Sequence, residues 1–359
     1  MRIIRYYPRA AIGDGGISAA IRGWTKASID AGAEVTIACD PRYGGPQNTE
    51  LPFTAVRHLG KGYVRIPVGM KEALRNVDVL VLHSGWVLYN TIAARAARSV
   101  GVPYVVEPRG AYDPHITRRR SLAKRLWWKL FERRLLERSL AVHVFFDSEI
   151  DHLRSLGYRG PVVIAPNGVE AVDHVSWQGG ADIVWLGRFD PEHKGLDLLL
   201  DALALIDPDE RPRLRLHGPD WRGQKAKFVE SVQAKDLGRW VIVAEPVYAE
   251  AKWEALSNAR GFVYPSKWEG FGISLAEAVS IGCPALVTPY PFGKFLAQRD
   301  AAFLAPSEAH GLARGLVELA TSERAAEVGS NGARVVREEL SWLDVAGRWL
   351  EQVEGLPRG

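Results

Sequence analysis

The feature that most constrains this 359-residue chain is a repeated alternation of short apolar, β-rich runs with longer helical patterns. The alternation covers residues 2–165 and starts again at residue 182. Runs such as DVLVLH at 78–83 and PYVVE at 103–107 are continuously apolar, which is typical of strands buried on both faces. Buried strands alternating with helices form a parallel sheet covered by helices. The sequence therefore predicts two doubly wound α/β domains in tandem.

The length supports the same division, since domains average about 150 residues. We place the first domain at residues 1–170, the second at 171–340, and a final amphipathic helix within 341–359. Two doubly wound domains in tandem leave a cleft between the carboxyl ends of their strands, where such sheets usually bind a ligand.

The charge differs between the two halves of the chain. Residues 1–170 hold 25 Lys and Arg against 15 Asp and Glu, a net charge of +10, whereas residues 171–359 hold 21 against 27, a net charge of −6. A basic first half indicates an anionic partner, such as a phosphorylated acceptor, a lipid surface or a nucleic acid. Uneven surface charge without a function is the alternative.

Several classes of protein are excluded by simple counts. The only two cysteines, Cys39 and Cys283, are far apart and have no His or Cys at metal-binding spacing, which argues against a disulfide framework or a zinc site. No run approaches the roughly 20 apolar residues that span a bilayer, and the first residues lack a signal-peptide core. We therefore expect a cytoplasmic protein.

The strongest motif is YPSKWEGFGISLAE at 264–277. A predicted strand ends at Tyr264, a turn with two glycines follows, and a helix begins near Ile273. Backbone N–H groups at a helix start have no internal partner and can receive phosphate oxygens. Glu277, one turn inside this helix, is placed to accept hydrogen bonds from a ribose. The alternative is that Glu269 and Glu277 are solvated carboxylates at a helix end.

A second motif, GRFDPEHKG at 187–195, directly follows the predicted strand at 182–186. It puts two cations, Arg188 and Lys194, on a loop at the carboxyl end of a strand. Two cations that converge on a diphosphate offset the charge of a leaving group, as a metal ion does elsewhere. Together with the glycine-rich helix start, they predict an anion site in the second domain.

These motifs, with GG at 15–16, PNGV at 166–169, HGP at 217–219 and SWLDVAGRWLE at 341–351, resemble the retaining glycosyltransferases of the GT-B fold, family 4. The resemblance covers nearly the whole chain. It implies two Rossmann-like domains that face a central cleft, with the acceptor on the first and a nucleotide sugar on the second. It also implies that the last helix crosses back to the first domain and that no metal or other cofactor is bound.

The resemblance implies that Arg188 and Lys194 bind the donor diphosphate, Glu277 the ribose, and Glu269 the hydroxyls of the sugar. Retention in this family looks like front-side attack, in which the departing phosphate oxygen takes the proton of the acceptor. No carboxylate nucleophile is then needed, in contrast to glycosidases with two carboxylates. Arg188, Lys194 and Glu269 are the predicted catalytic residues. The predicted donor-binding residues are Gly15, Gly16, Arg188, Lys194, Gly218, Glu269, Gly270, Phe271, Gly272, Ile273 and Glu277.

The chain departs from the family pattern after the strand at 103–107. Many relatives have a histidine-glycine pair there, whereas this chain has Arg109-Gly110. An arginine cannot act as a base near neutral pH, but it can hold a phosphate or an acidic sugar. The alternative is a structural ion pair with Glu107 or Asp113. His83, Arg109 and Tyr112 are the acceptor-side candidates, and we expect His83 to face the cleft unless it is a buried histidine with polar partners.

A basic amphipathic helix is predicted over residues 118–138, which hold nine basic and two acidic residues. Its apolar residues recur at helical spacing: Leu122, Leu126, Trp127, Leu130 and Phe131. Such a helix is typical of peripheral attachment to an anionic membrane surface, here the inner face of the cell membrane. The alternative is that the apolar stripe packs on the sheet and the cations are only solvated.

Together these patterns favour a hexosyltransferase that uses GDP-mannose or a UDP-hexose and a lipid-linked saccharide or polysaccharide precursor as acceptor. A nucleotide-sugar epimerase on the same fold and a non-catalytic nucleotide-binding protein are the alternatives. A requirement for an acceptor separates the transferase from the epimerase. We expect no nucleic-acid partner, because no nucleic-acid-binding module is recognisable.

Overall fold

A computed structural model describes residues 1–10, 15–43, 51–118, 121–170, 172 and 174–357. The chain divides into two compact units. Unit 1 comprises Met1–Gly168 and Trp342–Gly359, and unit 2 comprises Val169–Ser341. Each unit contains its own parallel sheet with helices, so the predicted pair of doubly wound α/β domains is confirmed.

Unit 1 contains a seven-stranded parallel sheet and a separate antiparallel hairpin. The strands are β1 (Arg2–Tyr6), β2 (Glu34–Cys39), β3 (Phe53–Ala55), β4 (Arg57–Leu59), β5 (Ile66–Val68), β6 (Val79–His83), β7 (Tyr104–Glu107), β8 (Ala141–Val144) and β9 (Val162–Ile164). The sheet order is β3-β2-β1-β6-β7-β8-β9, and β4 pairs with β5 in the hairpin. The strand order of the sheet reverses between β1 and β6, which makes this the switch point of unit 1.

The helices of unit 1 before its carboxyl-terminal segment are α1 (Gly16–Asp30), α2 (Met70–Ala73), α3 (Leu88–Ser99), α4 (Pro114–Thr117), α5 (Ser121–Trp127), α6 (Arg133–Glu137) and α7 (Ser148–Ser155). A π-helical turn, Trp128–Glu132, joins α5 to α6, so that residues 121–137 form one continuous helix. The predicted helix at 118–138 is found over 121–137, and residues 119 and 120 lie outside the described part of the chain. Asp113 begins the separate helix α4 by accepting the backbone N–H of His115 at 2.7 Å.

Unit 2 contains a six-stranded parallel sheet of order β12-β11-β10-β13-β14-β15. Its strands are β10 (Ile183–Leu186), β11 (Leu214–His217), β12 (Val241–Ala244), β13 (Gly261–Tyr264), β14 (Ala285–Val287) and β15 (Phe303–Leu304). Its helices are α8 (Pro191–Lys194), α9 (Leu196–Leu205), α10 (Gln224–Ala234), α11 (Ala249–Ser257), α12 (Ile273–Ser280), α13 (Pro291–Ala297), α14 (Ala309–Thr321) and α15 (Ala325–Glu339). The sheet order reverses between β10 and β13, which makes this the switch point of unit 2.

The last helix, α16 (Trp342–Glu354), belongs to unit 1 and packs against α1 and β9. The indole of Trp342 fits against two glycines, because a Cβ atom at Gly23 would lie 2.3 Å and one at Gly168 2.2 Å from its ring. Trp349 is fully buried, with its ring centroid 6.2 Å from that of Trp24. The helix thus completes the core on one face of the unit 1 sheet.

No helix among the described residues is both long and apolar enough to cross a membrane.

We predict that Trp349→Ala destabilises unit 1 by roughly 3–5 kcal/mol, because the indole is fully buried and its removal leaves a cavity. Leu343→Ala on the same helix is the matched control, since 54% of Leu343 is exposed. Chemical denaturation followed by tryptophan fluorescence and circular dichroism measures both variants. Equal free energies of unfolding for the two would contradict the packing of α16 described above.

Candidate active site

The two motifs of unit 2 lie at its switch point. The loop at 187–195 follows β10 and the loop at 265–272 follows β13, and these two strands are hydrogen-bonded neighbours. Loops that follow neighbouring parallel strands at a switch point diverge and leave a crevice, which is where ligands of open α/β sheets bind. The topology therefore brings together the residues that the sequence placed about 75 positions apart.

The centre of this site is an ion pair between Lys194 and Glu269. The Lys194 ammonium contacts Glu269 Oε1 and also lies 3.2 Å from the Tyr264 hydroxyl. About a tenth of each side chain of the pair is exposed. Burial alone would raise the pKa of Glu269, but the Lys194 charge, His193 and the hydrogen bonds from Lys194 and Tyr264 together hold that pKa below its ordinary value. Burial alone would lower the pKa of Lys194, but Glu269 and Tyr264 together raise it above its ordinary value.

His193 joins the two loops on either side of this pair. Its ring stacks on Trp268 with 4.8 Å between the centroids and 9° between the planes. Its Nε2–H donates to the Trp268 carbonyl at 2.9 Å, and its own carbonyl accepts the backbone N–H of Lys267 at 3.1 Å. The Arg188 guanidinium lies 3.5 Å from His193 Nδ1, and Glu269 Oε1 lies 3.4 Å from Nε2.

Arg188 differs from Lys194 in its surroundings, although the sequence placed both on the same loop. Arg188 is exposed, and its guanidinium lies 4.3 Å from the ring centroid of Trp221. This stacking holds the cation at the surface of the loop while leaving its N–H groups accessible. Lys194 and Glu269 are in direct contact, whereas Arg188 is joined to them through His193.

The glycines of the site allow close backbone approach. A Cβ atom at Gly218 would lie 1.6 Å from the Gly187 carbonyl oxygen, so the loops after β10 and β11 can touch only because residue 218 has no side chain. Gly272 has φ +91° and caps the start of α12, where a Cβ would lie 3.0 Å from the Tyr264 ring. The side chain of Phe271 is buried and stacks on Phe292, with 4.5 Å between the ring centroids.

The start of α12 has the geometry of an anion site. The first turn of this eight-residue helix follows Gly270 and Gly272, and its leading N–H groups lack intrahelical acceptors. The Ser274 hydroxyl donates to the Leu186 carbonyl at 2.9 Å, which ties the helix start to the end of β10. Phosphate oxygens are favoured at such a helix start.

Glu277 lies one turn further along α12. Its Oε1 accepts from the Lys252 ammonium of α11 at 2.7 Å, and about a quarter of its side chain is exposed. It is therefore neither a freely solvated carboxylate nor a fully buried one, and it remains accessible to a hydroxyl donor.

The acceptor-side candidates lie in unit 1, and the structure corrects our expectation for them. His83 does not face an open cleft but is fully buried at the end of β6, with Nδ1 3.2 Å from Glu107 Oε2. Burial lowers the pKa of His83 to about 4, although Glu107 opposes the shift. Arg109 forms an ion pair with Glu107 at 2.7 Å, and only 7% of its side chain is exposed.

Glu107 is the common partner in this buried cluster. Arg5, His83, Arg109 and His143 all place a side-chain nitrogen within 3.6 Å of its carboxylate oxygens. Burial alone would raise the pKa of Glu107, but its neighbours, above all the Arg109 guanidinium, hold it well below its ordinary value. The structural ion pair that the sequence left open for Arg109 is thus the arrangement found.

Tyr112 is also buried, and its hydroxyl donates to Glu132 Oε1 at 2.7 Å. The same carboxylate accepts the backbone N–H of Trp86 at 2.8 Å and the indole N–H of Trp127 at 3.0 Å. These hydrogen bonds hold the loops after β6 and β7. The backbone of these loops is also strained, since Trp86 has φ +62° and Arg109 has φ +54°. Strained backbone of this kind concentrates at functional sites.

The turn before α1 is described only from Gly15 onwards, because residues 11–14 lie outside the described part of the chain. Gly15 has φ +54°, a conformation that other residues rarely adopt, and Gly16 is the first residue of α1.

Sequence reasoning missed four residues of these contacts: His193, Trp221, Lys252 and Trp268. His193 stands inside the GRFDPEHKG motif, but its partner Trp268 is 75 residues away, and no local pattern links the two. The only available signal was that both residues belong to loops at the switch point.

Two family models match the chain. Residues 15–168 match the model described as "Glycosyl transferase 4-like domain", and residues 180–322 match the one described as "Glycosyl transferases group 1".

Among the described residues, no group of three or more His, Cys, Asp or Glu side chains is arranged to hold a metal ion.

The chain is similar to characterised enzymes. It is 24% identical over 324 residues to a GDP-mannose:cellobiosyl-diphosphopolyprenol alpha-mannosyltransferase of Xanthomonas oryzae pv. oryzae, which covers 86% of this chain and 83% of that protein. It is 29% identical over 187 residues to the mannosylfructose-phosphate synthase of Agrobacterium fabrum, which covers 49% of this chain and 41% of that protein.

Solved structures show the same fold at low sequence identity. The sucrose-phosphate synthase of Thermosynechococcus elongatus superposes with a TM-score of 0.77 at 20% identity, over 99% of this chain and 100% of that one. HepE of Anabaena in complex with UDP and glucose superposes with a TM-score of 0.77 at 15% identity, over the same shares. The chain therefore belongs to the group 1, family 4 glycosyltransferases of the GT-B fold, and it is an enzyme of the hexosyltransferase type.

Proposed function

We propose that this enzyme transfers a hexose from a nucleotide-sugar donor to a lipid-linked saccharide or polysaccharide-precursor acceptor, with retention of the anomeric configuration. The observation that carries the proposal is the Lys194–Glu269 pair at the switch point of unit 2, beside the exposed Arg188 and the start of α12. This arrangement combines cations for a diphosphate with a carboxylate for sugar hydroxyls.

The diphosphate is assigned to the two cations and to the helix start. An ammonium group carries three N–H donors, and among the described residues Tyr264 and Glu269 accept from Lys194, which leaves one N–H for a phosphate oxygen. Arg188 adds a second charge, and the leading N–H groups of α12 add uncharged donors. The proposal includes no metal ion, since Arg188, Lys194 and the leading N–H groups of α12 are the donors assigned to the diphosphate.

The sugar and the ribose are assigned to the two carboxylates of the longer motif. Glu269 accepts hydrogen bonds from sugar hydroxyls, with the backbone amides of residues 270–273 beside it. Glu277 accepts from the ribose hydroxyls while Lys252 holds it in place. Glu269 thereby determines which hexose fits.

We propose that the transfer is a front-side substitution. The bond between the anomeric carbon and the diphosphate oxygen breaks, and the acceptor oxygen bonds to that carbon on the same face. The departing phosphate oxygen takes the proton of the acceptor hydroxyl. Negative charge grows on the diphosphate as the bond breaks, and Arg188 and Lys194 stabilise it most strongly at that moment.

The names of similar proteins favour one donor and one kind of acceptor. Two Xanthomonas relatives, each 24% identical, are GDP-mannose:cellobiosyl-diphosphopolyprenol alpha-mannosyltransferases. These names support GDP-mannose as the donor and a lipid-linked saccharide as the acceptor. A UDP-hexose is the second candidate, because HepE, which shares the fold, is solved in complex with UDP-glucose.

On the acceptor side, we assign positioning roles to His83, Arg109 and Tyr112. Each is buried and hydrogen-bonded or ion-paired to Glu107 or Glu132. They hold the loops after β6 and β7 in shape, and the acceptor meets those loops.

Arg188→Ala should lower kcat/KM by roughly 100-fold, because losing one group that stabilises leaving-group charge costs about 3 kcal/mol. Arg222→Ala is the matched control, since Arg222 is also exposed and lies 5.0 Å from the same Trp221 ring. Release of nucleoside diphosphate in the presence of acceptor measures both. Equal losses of kcat/KM in the two variants would show that Arg188 has no specific role in the reaction. Conversion of the donor to an isomeric nucleotide sugar without acceptor would identify an epimerase.

A panel of UDP, GDP and dTDP with their hexose forms should stabilise the protein selectively. Ligand at about 100 times its dissociation constant adds roughly 2.7 kcal/mol to the free energy of unfolding. We expect GDP and GDP-mannose to give the largest rise in the unfolding temperature, and Glu277→Ala to lose it. Glu250→Ala, an exposed carboxylate of α11, should keep it. A rise that survives Glu277→Ala would contradict the ribose assignment.

Glu269→Gln should destabilise unit 2 by about 3–5 kcal/mol, because it leaves the buried Lys194 ammonium without its counter-charge. The double variant Lys194→Met with Glu269→Gln should recover part of this loss. A nucleoside diphosphate should stabilise Glu269→Gln more than it stabilises the unmodified protein, since its phosphate supplies the missing negative charge. Thermal unfolding of all three proteins measures these effects. Equal stabilisation of Glu269→Gln and of the unmodified chain by a nucleoside diphosphate would contradict the contact between Lys194 and the diphosphate.

A further inference from the structure

The β4–β5 hairpin of unit 1 is built with its apolar residues on the outside. Leu59 and Ile66 are directly opposite each other in the hairpin register, and they are 62% and 42% exposed. Val68 shares that face, and Val64 in the connecting turn is 61% exposed. An antiparallel sheet that faces water on one side normally shows the reverse alternation, with polar residues outward.

Two inward residues of the hairpin, His58 and Arg65, are polar and hydrogen-bonded, and Pro67 opposite His58 is buried with them. His58 is buried, with Nε2 2.7 Å from the Tyr6 hydroxyl and Nδ1 3.3 Å from Asp40 Oδ2. Arg65 is 7% exposed and donates to the Tyr43 hydroxyl at 2.8 Å. A shift of the register by one residue would turn His58 and Arg65 into the solvent and break these bonds. The outward position of the apolar residues is therefore a fixed feature of the hairpin.

The helix at 121–137 repeats this pattern. Leu122, Leu126 and Leu130 recur every four residues and are 79%, 59% and 50% exposed. The alternative that the whole apolar stripe packs on the sheet is wrong for these leucines, because the core takes Leu135 and Leu136 instead.

Glu132 fixes the orientation of this helix. It is fully buried in the π-helical turn and accepts hydrogen bonds from the backbone N–H of Trp86, the Tyr112 hydroxyl and the Trp127 indole. Rotating the helix to bury its leucines would break the bonds from Trp86 and Tyr112, which lie outside the helix, and a buried carboxylate that loses hydrogen-bond donors is unfavourable. The same carboxylate ties the helix to the loops after β6 and β7.

The hairpin and the helix lie beside the same element, since both pack against α3. Of the twelve large apolar side chains that are exposed among the described residues, seven belong to these two segments. Exposed cations accompany them: Arg57, Lys61, Arg125, Lys129 and Arg134. The hairpin holds no acidic residue, and on the helix Glu132 is buried while Glu137 is paired with Arg133 at 2.7 Å.

We propose that the outward faces of the hairpin and of the 121–137 helix form one docking surface for an anionic lipid bilayer. The apolar side chains would enter the interfacial region, and the surrounding cations would meet lipid phosphates. A second copy of this chain fits less well, because it would bring two basic surfaces together and repel them. The hairpin adds to the helix a second, independent set of apolar residues that the sequence pattern did not reveal.

Binding to vesicles tests this surface without donor or acceptor, so its outcome is independent of the proposed transfer reaction. The full chain is mixed with vesicles of phosphatidylcholine alone or of equal parts phosphatidylcholine and phosphatidylglycerol, and bound protein is measured by flotation. We expect binding to the mixed vesicles that weakens with salt. Arg125→Gln with Arg134→Gln should lower the partition coefficient roughly 30-fold, since each cation contributes about fivefold.

Two further variants test the apolar part of each segment separately. Leu59→Ser with Ile66→Thr on the hairpin, and Leu122→Gln with Leu126→Gln on the helix, should each reduce binding by more than about tenfold. Leu205→Gln in unit 2 is the matched control, because Leu205 is 51% exposed but lies outside this surface. Far-UV circular dichroism and the unfolding temperature show whether each variant is folded.

Three results would overturn the proposal. One is the absence of binding to the mixed vesicles, and another is binding that the folded variants leave unchanged. The third is a dimer in sedimentation experiments that the hairpin and helix variants dissociate while no vesicle binding is seen, because the surface would then be covered by a second copy of the chain.

Discussion

The candidate active site of unit 2 depends on one constraint of its sheet, which is that loops from neighbouring strands must touch through their backbones. A Cβ at Gly218 would lie 1.6 Å from the Gly187 carbonyl oxygen, and one at Gly195 would lie 1.9 Å from the Pro265 carbonyl oxygen. No side chain fits in either gap, and Gly195 also has φ +65°. The contact at Gly195 sets the distance between the loops after β10 and β13, and that distance lets Lys194 reach Glu269.

Much of this architecture could be predicted because buried parallel strands have continuously apolar sequences. The strand predicted to end at Tyr264 is found as β13, and the helix predicted to begin near Ile273 is found as α12. The hairpin at 57–68 was not predicted, because its apolar residues face outward and its polar residues inward. Lys194 and Glu269 were recognisable from their motifs, but the stacking of His193 on Trp268 follows only from the topology.

The acceptor-side candidates show why a charged residue at a strand end is ambiguous in sequence. Arg109 follows β7, and the local sequence suits either a ligand contact or an internal ion pair. What decides between them is Glu107, a fully buried carboxylate that needs positive partners to remain ionised. Its partners Arg5, His83 and His143 come from three other strands, so the balance of charge is visible only after the sheet has formed.

The return of α16 to unit 1 has a consequence for the order in which the chain folds during synthesis. Unit 1 is interrupted after Gly168 and resumes at Trp342, so all of unit 2 leaves the ribosome before the last piece of unit 1 does. At roughly 5–20 residues per second, the intervening segment takes on the order of ten to thirty seconds to make. During that time α16 does not yet cover Trp24 and the two glycines that pack against Trp342. A nascent chain at that stage offers an apolar sheet face to chaperones until α16 has been made and covers this face.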